Sequence, residues 1–153
     1  MDAINTAPGM HGAAKWGVAG LAGFQQVPDV LLMKQQELGL EGLDLLVLLN
    51  VTSFWWRGDE PPYLRTKLIA GRLNVSVRSV QRVLKKLEGK GLIRRDRWTE
   101  PGGKTRPAVF LDGLVRRLEE LTILDKILSD RMQKPATYVA GSKPIPKGGT
   151  TAF

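Results

Sequence analysis

Two short amphipathic segments separated by a few residues constrain the fold of this chain more than any other feature. Residues 63–73 and 76–90 each place apolar side chains at the three- and four-residue spacing of an α-helix. Asn74 stands between them, and asparagine tolerates the left-handed backbone of a sharp reversal better than most residues. Ser76 then suits an N-cap, because its hydroxyl accepts a hydrogen bond from a free amide of the first turn. The pattern predicts two helices joined by a tight turn.

Small and apolar residues occupy the positions where two such helices would bury each other. Ala70 is small enough for a second helix to cross closely above it, and five further apolar residues share the buried spacing: Ile69, Leu73, Val75, Val80 and Val83. The block 66–85 resembles the twenty-residue helix-turn-helix motif of bacterial and phage DNA-binding proteins, with Asn74 in place of the usual turn glycine. A plain αα-hairpin is the alternative that the same spacing allows.

The resemblance implies that the second helix is a recognition helix. Its inward residues are Val80, Val83, Leu84 and Leu87, which leaves a polar and basic set toward solvent or DNA: Ser76, Arg78, Ser79, Gln81, Arg82, Lys85 and Lys86. Arg78 and Arg82 suit bidentate bonds to guanine, and Gln81 suits adenine. Ser76, Lys85 and Lys86 suit phosphates, and a phosphate contact is equally open for Arg78.

The basic excess of the chain lies in one region. The net charge is +8, and residues 57–106 hold 14 Lys and Arg against 5 Asp and Glu, while the remainder holds 9 against 10. Such concentration indicates a surface for a polyanion, although a solvated basic face is the alternative.

A β-hairpin is predicted directly after the second helix. Residues 91–98 and 107–111 have the composition of strands, and Pro101-Gly102-Gly103 separates them. Four basic residues lie on its flanks and tip, where they suit a phosphate backbone or a minor groove: Arg95, Arg97, Lys104 and Arg106.

The order of these elements resembles winged helix domains of phage and plasmid replication and regulatory modules. The residues that carry the resemblance are Phe24-x-x-Val27-Pro28, the apolar helix 43–54, Pro62, the segment 76–82, and Lys90-Gly91-Leu92-Ile93. It covers residues 24–111 and implies sequence-selective binding of double-stranded DNA. The expected fold is mainly α with a small β-hairpin, namely a winged helix-turn-helix followed by a long C-terminal helix.

The long helix is predicted over residues 112–132, within a C-terminal segment 112–133, and Asp112 is its expected cap. One stripe of this helix is apolar: Leu114, Leu118, Leu121, Leu124 and Leu128. Ile123 and Ile127 widen the apolar surface. The long helix therefore packs either on its own domain or on a second copy of the chain, and we expect a homodimer.

The ends of the chain are expected to be flexible. Residues 1–23 are rich in Gly and Ala and predict a mobile leader with a weak helix near residues 13–21. Residues 134–153 are rich in Pro, Gly, Ser and Thr and predict a disordered tail.

Catalysis is not expected. The chain has no cysteine and a single histidine, His11, in the leader, and its carboxylates form no paired set. We predict no catalytic residue, metal, cofactor or small-molecule ligand, and no membrane segment, which gives a cytoplasmic, nucleoid-associated protein. The expected role is a transcriptional regulator of a mobile element or prokaryotic operon. The alternatives are a replication, origin-binding or partition factor and a protein-interaction adaptor.

Overall fold

The protein is described by a computed structural model over residues 15–133. Within these residues it is mainly helical, with one antiparallel hairpin, and this agrees with the predicted fold class. The elements in chain order are α1 (Val18–Leu21), α2 (Asp29–Met33), α3 (Gly42–Thr52), α4 (Thr66–Leu73), α5 (Val77–Gly89), β1 (Arg94–Thr99), β2 (Thr105–Phe110), α6 (Asp112–Leu124) and α7 (Lys126–Gln133).

The turn between α4 and α5 has the predicted geometry. Asn74 adopts the left-handed conformation with φ 52°, and the Val75 amide donates to the Ala70 carbonyl at 3.1 Å. Ser76 caps α5 by accepting from the Ser79 amide at 3.0 Å. Ala70 is buried between the helices. The two helices and their tight turn are therefore confirmed.

Helix α4 begins at Thr66, three residues later than predicted. The preceding segment pairs with β2, because the Leu64 amide donates to the Pro107 carbonyl at 3.2 Å and the Val109 amide donates to the Pro62 carbonyl at 3.1 Å. A helix that began at Tyr63 would lose these bonds to β2. The hairpin is thereby fastened to the chain that leads into α4.

The hydrophobic core forms where α3 packs against α5. Val47 and Leu48 of α3 and Val80, Leu84 and Leu87 of α5 are each fully buried. This confirms the apolar helix predicted over residues 43–54, which runs from Gly42 to Thr52. A capping box holds its start, in which the Glu41 amide donates to the Asp44 carboxylate at 2.9 Å.

The predicted single C-terminal helix is divided into two at Asp125. Its backbone is extended there, its carboxylate accepts from the Leu128 amide at 3.1 Å, and Lys34 lies 2.7 Å away. The Lys34 ammonium lowers the pKa of Asp125, and this contact raises the pKa of Lys34. The cap on the Leu128 amide and the ion pair with Lys34 therefore both stabilise the break. Asp112 is the first helical residue of α6, and the N-cap position belongs to Leu111.

Four of the five leucines in the C-terminal stripe pack inside the chain. Leu114, Leu118, Leu121 and Leu128 are buried, whereas Leu124 is 79% exposed. The leucines that were expected to pair with a second copy thus complete this domain's own core, with α6 packed near α2.

The start of α6 approaches the loop after α5 so closely that only glycine fits at residue 113. The Leu114 amide donates to the Leu92 carbonyl at 2.8 Å, and a Cβ on Gly113 would overlap the Gly91 carbonyl oxygen. We expect Gly113→Ala to lower the free energy of unfolding by about 2–3 kcal/mol, because backbone must move to relieve the overlap. Urea denaturation followed by circular dichroism measures this.

Gly71→Ala is the matched control, since Gly71 lies inside α4 and a Cβ there meets open space. Alanine is the better helix former, so this variant should gain about 0.5–1 kcal/mol. Equal losses in both variants would contradict the close approach at Gly113.

Parts of the predicted leader and tail lie outside the described residues, namely 1–14, which include His11, and 134–153. Residues 15–23 contain the short helix α1, whose Val18 and Leu21 are exposed. No helix among residues 15–133 has the length and hydropathy to span a bilayer.

Candidate nucleic-acid interface

The exposed side of α5 carries three cations at helical spacing. Arg78, Arg82 and Lys85 follow one another at intervals of four and three residues, so they share one side of the helix. All three are exposed, and none forms an ion pair with another residue of the described chain. Their charges are available to a polyanion.

The two serines at the start of α5 are engaged with each other. The hydroxyls of Ser76 and Ser79 lie 2.9 Å apart, and Ser76 also accepts from the Ser79 amide. These hydrogen bonds cap the N-terminus of α5, where free backbone amides favour the binding of an anion. A phosphate contact by Ser76 remains a prediction.

Lys86 lies one turn after Arg82, but its charge is already paired within the fold. Its ammonium is 2.7 Å from a carboxylate oxygen of Asp44, whose residue is only 2% exposed, and 3.1 Å from Glu41. Hydrogen bonds to Asp44 and then Glu41 raise the pKa of Lys86. Its charge offsets a buried carboxylate at the start of α3, which is a structural use that the helical wheel did not reveal.

The hairpin places its basic residues on two different faces. Arg95 pairs in register with the fully buried Val109, and Arg97 with Pro107, so these two arginines lie on the face turned toward α5. Arg97 and the tip residue Lys104 are exposed, with no ion-pair partner among residues 15–133.

Arg95 ties the hairpin to α5. Its guanidinium donates to Gln81 at 2.7 Å and to Glu88 at 2.7 Å, and its backbone amide donates to Glu88 at 3.0 Å. The hydrogen bond from Arg95 lowers the pKa of Glu88, and the same contact raises the pKa of Arg95. The two elements therefore hold a fixed relative position.

Arg106 lies on the opposite face of the hairpin and is nearly buried. It is 9% exposed, donates to Glu100 at 3.1 Å and to the Pro61 carbonyl at 2.9 Å, and lies over the ring of Trp98, its partner in register, at 4.8 Å. The structure therefore separates Arg106 from the other basic wing residues. Strand alternation together with the facing Trp98 was the signal that separates it from Arg95 and Arg97.

Five cations thus remain on α5 and the adjoining hairpin, and we call this surface the basic face: Arg78, Arg82, Lys85, Arg97 and Lys104. No residue of α4 was predicted to contact DNA, yet Lys67 in its first turn is exposed. In helix-turn-helix complexes the first helix crosses the DNA backbone, which makes Lys67 a further candidate for a phosphate contact. Among residues 15–133, no three His, Cys, Asp or Glu side chains cluster as metal ligands would.

Comparison with known proteins agrees with this geometry. Residues 38–93 match a family described as "Helix-turn-helix domain". The N-terminal domain of the DnaD protein from Geobacillus kaustophilus HTA426 is similar in structure, with a TM-score of 0.50, 26% sequence identity, and 71% of this chain and 86% of that chain covered. A possible transcriptional regulator from Methanosarcina mazei Go1 superposes with a TM-score of 0.38 at 25% identity, covering 68% and 80% of the two chains. A search of curated protein sequences finds no match. The family match covers α4 and α5, and the structure adds the β-hairpin directly after them, so this part of the chain has a winged helix-turn-helix fold.

Proposed function

We propose that this winged helix-turn-helix protein binds double-stranded DNA at specific sequences and regulates transcription of a mobile element or a prokaryotic operon. The observation that carries the proposal is the basic face, because its cations line the exposed side of α5 and the adjoining wing. The family match over residues 38–93 supports DNA binding. The same features favour a binding role over catalysis.

The proposed mode of binding places α5 in the major groove. Arg78 and Arg82 lie in its N-terminal half, where recognition helices meet base edges, and each suits a bidentate bond to guanine. Lys85, Arg97 and Lys104 suit phosphates on either side, so that the wing holds the backbone while α5 reads sequence.

Binding-site selection with the full chain tests the proposal. We expect one enriched sequence, bound at least about 10³-fold more tightly than random duplex in fluorescence anisotropy at fixed salt. Equal affinity for selected and random DNA would exclude sequence-specific binding.

Genome-wide DNA pull-down tests the regulatory role. Occupancy at promoters is the expected result. Enrichment confined to iterated origin repeats would instead support the replication or partition factor that the sequence leaves as an alternative.

Lys104→Ala is expected to weaken binding to selected and random DNA by the same factor. A phosphate contact carries no sequence information, and its loss should reduce the slope of log affinity against log salt by about one. Salt titrations measured by anisotropy give this slope.

Lys86→Ala is the matched control, because it removes the same charge from a residue already paired with Asp44 and Glu41. It should leave the salt slope unchanged and lower the thermal stability. A slope change in Lys86→Ala equal to that of Lys104→Ala would contradict this division.

Homodimerisation is the second part of the proposal. Of the predicted stripe only Leu124 is exposed, and Ile123 and Ile127 beside it are 64% and 63% exposed, which leaves an apolar corner between α6 and α7. A palindromic selected site together with a dimer in sedimentation velocity is expected. A monomer that binds an asymmetric site would overturn the dimer.

A further inference from the structure

The contact between Arg95 and Gln81 fixes which end of the glutamine amide faces outward. A guanidinium offers only donors, so the atom that meets Arg95 at 2.7 Å is the Oε1 oxygen of Gln81. The Nε2 group then occupies the other end of the amide, and no residue among 15–133 accepts its hydrogens, which leaves both for another partner. Gln81 lies three residues after Arg78 on α5, and its side chain is exposed.

Arg95 itself is held firmly. Glu88 accepts both from its guanidinium and from its backbone amide, and the side chains of Arg95 and Glu88 are only 27% and 30% exposed. The hydrogen bond from Arg95 lowers the pKa of Glu88, as expected for a carboxylate that accepts from a guanidinium. An arginine in this position is less available to a phosphate than Arg97 or Lys104.

Resting on the proposed function, we infer that Arg95 is a positioning residue that makes Gln81 read guanine in place of adenine. Bidentate recognition of adenine requires the glutamine oxygen to accept from the base amino group while the nitrogen donates to N7. Here Arg95 uses one of the two lone pairs of that oxygen, and its positive charge beside the other disfavours the amino group of adenine, which is also a donor. Guanine presents two acceptors, N7 and O6, to the free amide hydrogens, and its edge suits the positive surroundings of Arg95.

Base preference at a single position is the decisive measurement. The unsubstituted protein should favour guanine over adenine by about tenfold at the position that loses preference in Gln81→Ala. Arg95→Met keeps an unbranched side chain over the strand but removes the donor, so the oxygen is freed. This variant should lose the guanine preference or turn it toward adenine, with an unchanged salt slope.

Arg94→Met is the matched control. Arg94 is the neighbouring arginine on the other face of the hairpin, where it pairs with Asp96 at 2.9 Å. The Arg94→Met variant should leave unchanged the base preference at the DNA position that Gln81 contacts.

Gln81→Glu provides a second test in a variant that keeps, and strengthens, the contact with Arg95. The carboxylate has no donor, so the preferred base should change from guanine to cytosine, whose amino group donates. Circular dichroism and thermal unfolding establish that each variant is folded, and Gln81→Glu decides the matter if Arg95→Met does not fold.

Several results would overturn the inference: adenine preferred by the unsubstituted protein, an unchanged preference in a folded Arg95→Met, or no change of preference in Gln81→Glu. A salt slope lowered by about one in Arg95→Met would make Arg95 a phosphate contact and overturn it as well. Failure of the unsubstituted protein to prefer any sequence would refute the proposed function itself, and this result is distinct from the others.

Discussion

A chain truncated after Leu111 is expected not to fold cooperatively. The truncation removes Leu114, Leu118, Leu121 and Leu128, all of which are buried in the core shared with α2 and α3. Replacing one buried leucine by alanine costs about 2–5 kcal/mol, and a whole domain is stable by only about 5–15 kcal/mol. Loss of four such side chains, about 8–20 kcal/mol if the costs add, is comparable to the whole stability available. Urea denaturation followed by circular dichroism and tryptophan fluorescence should show no cooperative transition.

Truncation after Gln133 is the control, because it keeps α6 and α7 complete. This chain should unfold at the same urea concentration as the full protein. A cooperatively folded monomer ending at Leu111 would show that the C-terminal helices are not part of the core, and the leucine stripe would then be free to pair with a second copy.

The helix-turn-helix was predictable because its determinants are local. The left-handed Asn74, the capping Ser76 and the buried Val80 follow from spacing within one short segment. Helical periodicity and turn chemistry act between neighbours in sequence, so one chain suffices to identify them. The two strands of the hairpin were recognised for the same reason, within a few residues at their ends.

The C-terminal break was only partly predictable from local pattern, because the one local signal is Asp125, a residue type that suits an N-cap. No glycine or proline interrupts residues 114–133, and the heptad-like leucines continue across Asp125. Asp125 caps α7 by accepting from the Leu128 amide, and it also pairs with Lys34, which lies far away in sequence on the segment after α2. Tertiary contacts of this kind override helical propensity.

The roles of the basic residues were only partly predictable. A helical wheel shows that Lys86 points outward from α5, but it does not show that Lys86 forms an ion pair with the buried Asp44 of α3. Arg95 likewise counted as a wing cation until its contacts with Gln81 and Glu88 were seen. The charge of the sequence therefore predicts that the binding partner is negatively charged. The ion pairs within the fold decide which basic residues are left to contact that partner.

Replacing Arg78 and Arg82 together by alanine is expected to remove most of the sequence preference while leaving appreciable binding. Each bidentate contact to guanine contributes about 1–3 kcal/mol of discrimination. If the two arginines act independently, their loss should lower the free-energy difference between binding to specific and to random DNA by about 2–6 kcal/mol. Lys85, Arg97 and Lys104 remain to attract phosphates. Anisotropy titrations with the selected site and random duplex measure the ratio.

The matched control removes the same charge from α6, through Arg116→Ala with Arg117→Ala. Arg116 is exposed and Arg117 pairs with Glu120 at 3.0 Å on the surface, so little stability depends on them. If both double variants lower the affinity for selected and random DNA alike, the arginines of α5 act only through net charge. If only the α5 variant lowers the ratio, then geometry on the recognition helix supplies the specificity, since the two proteins carry equal charge.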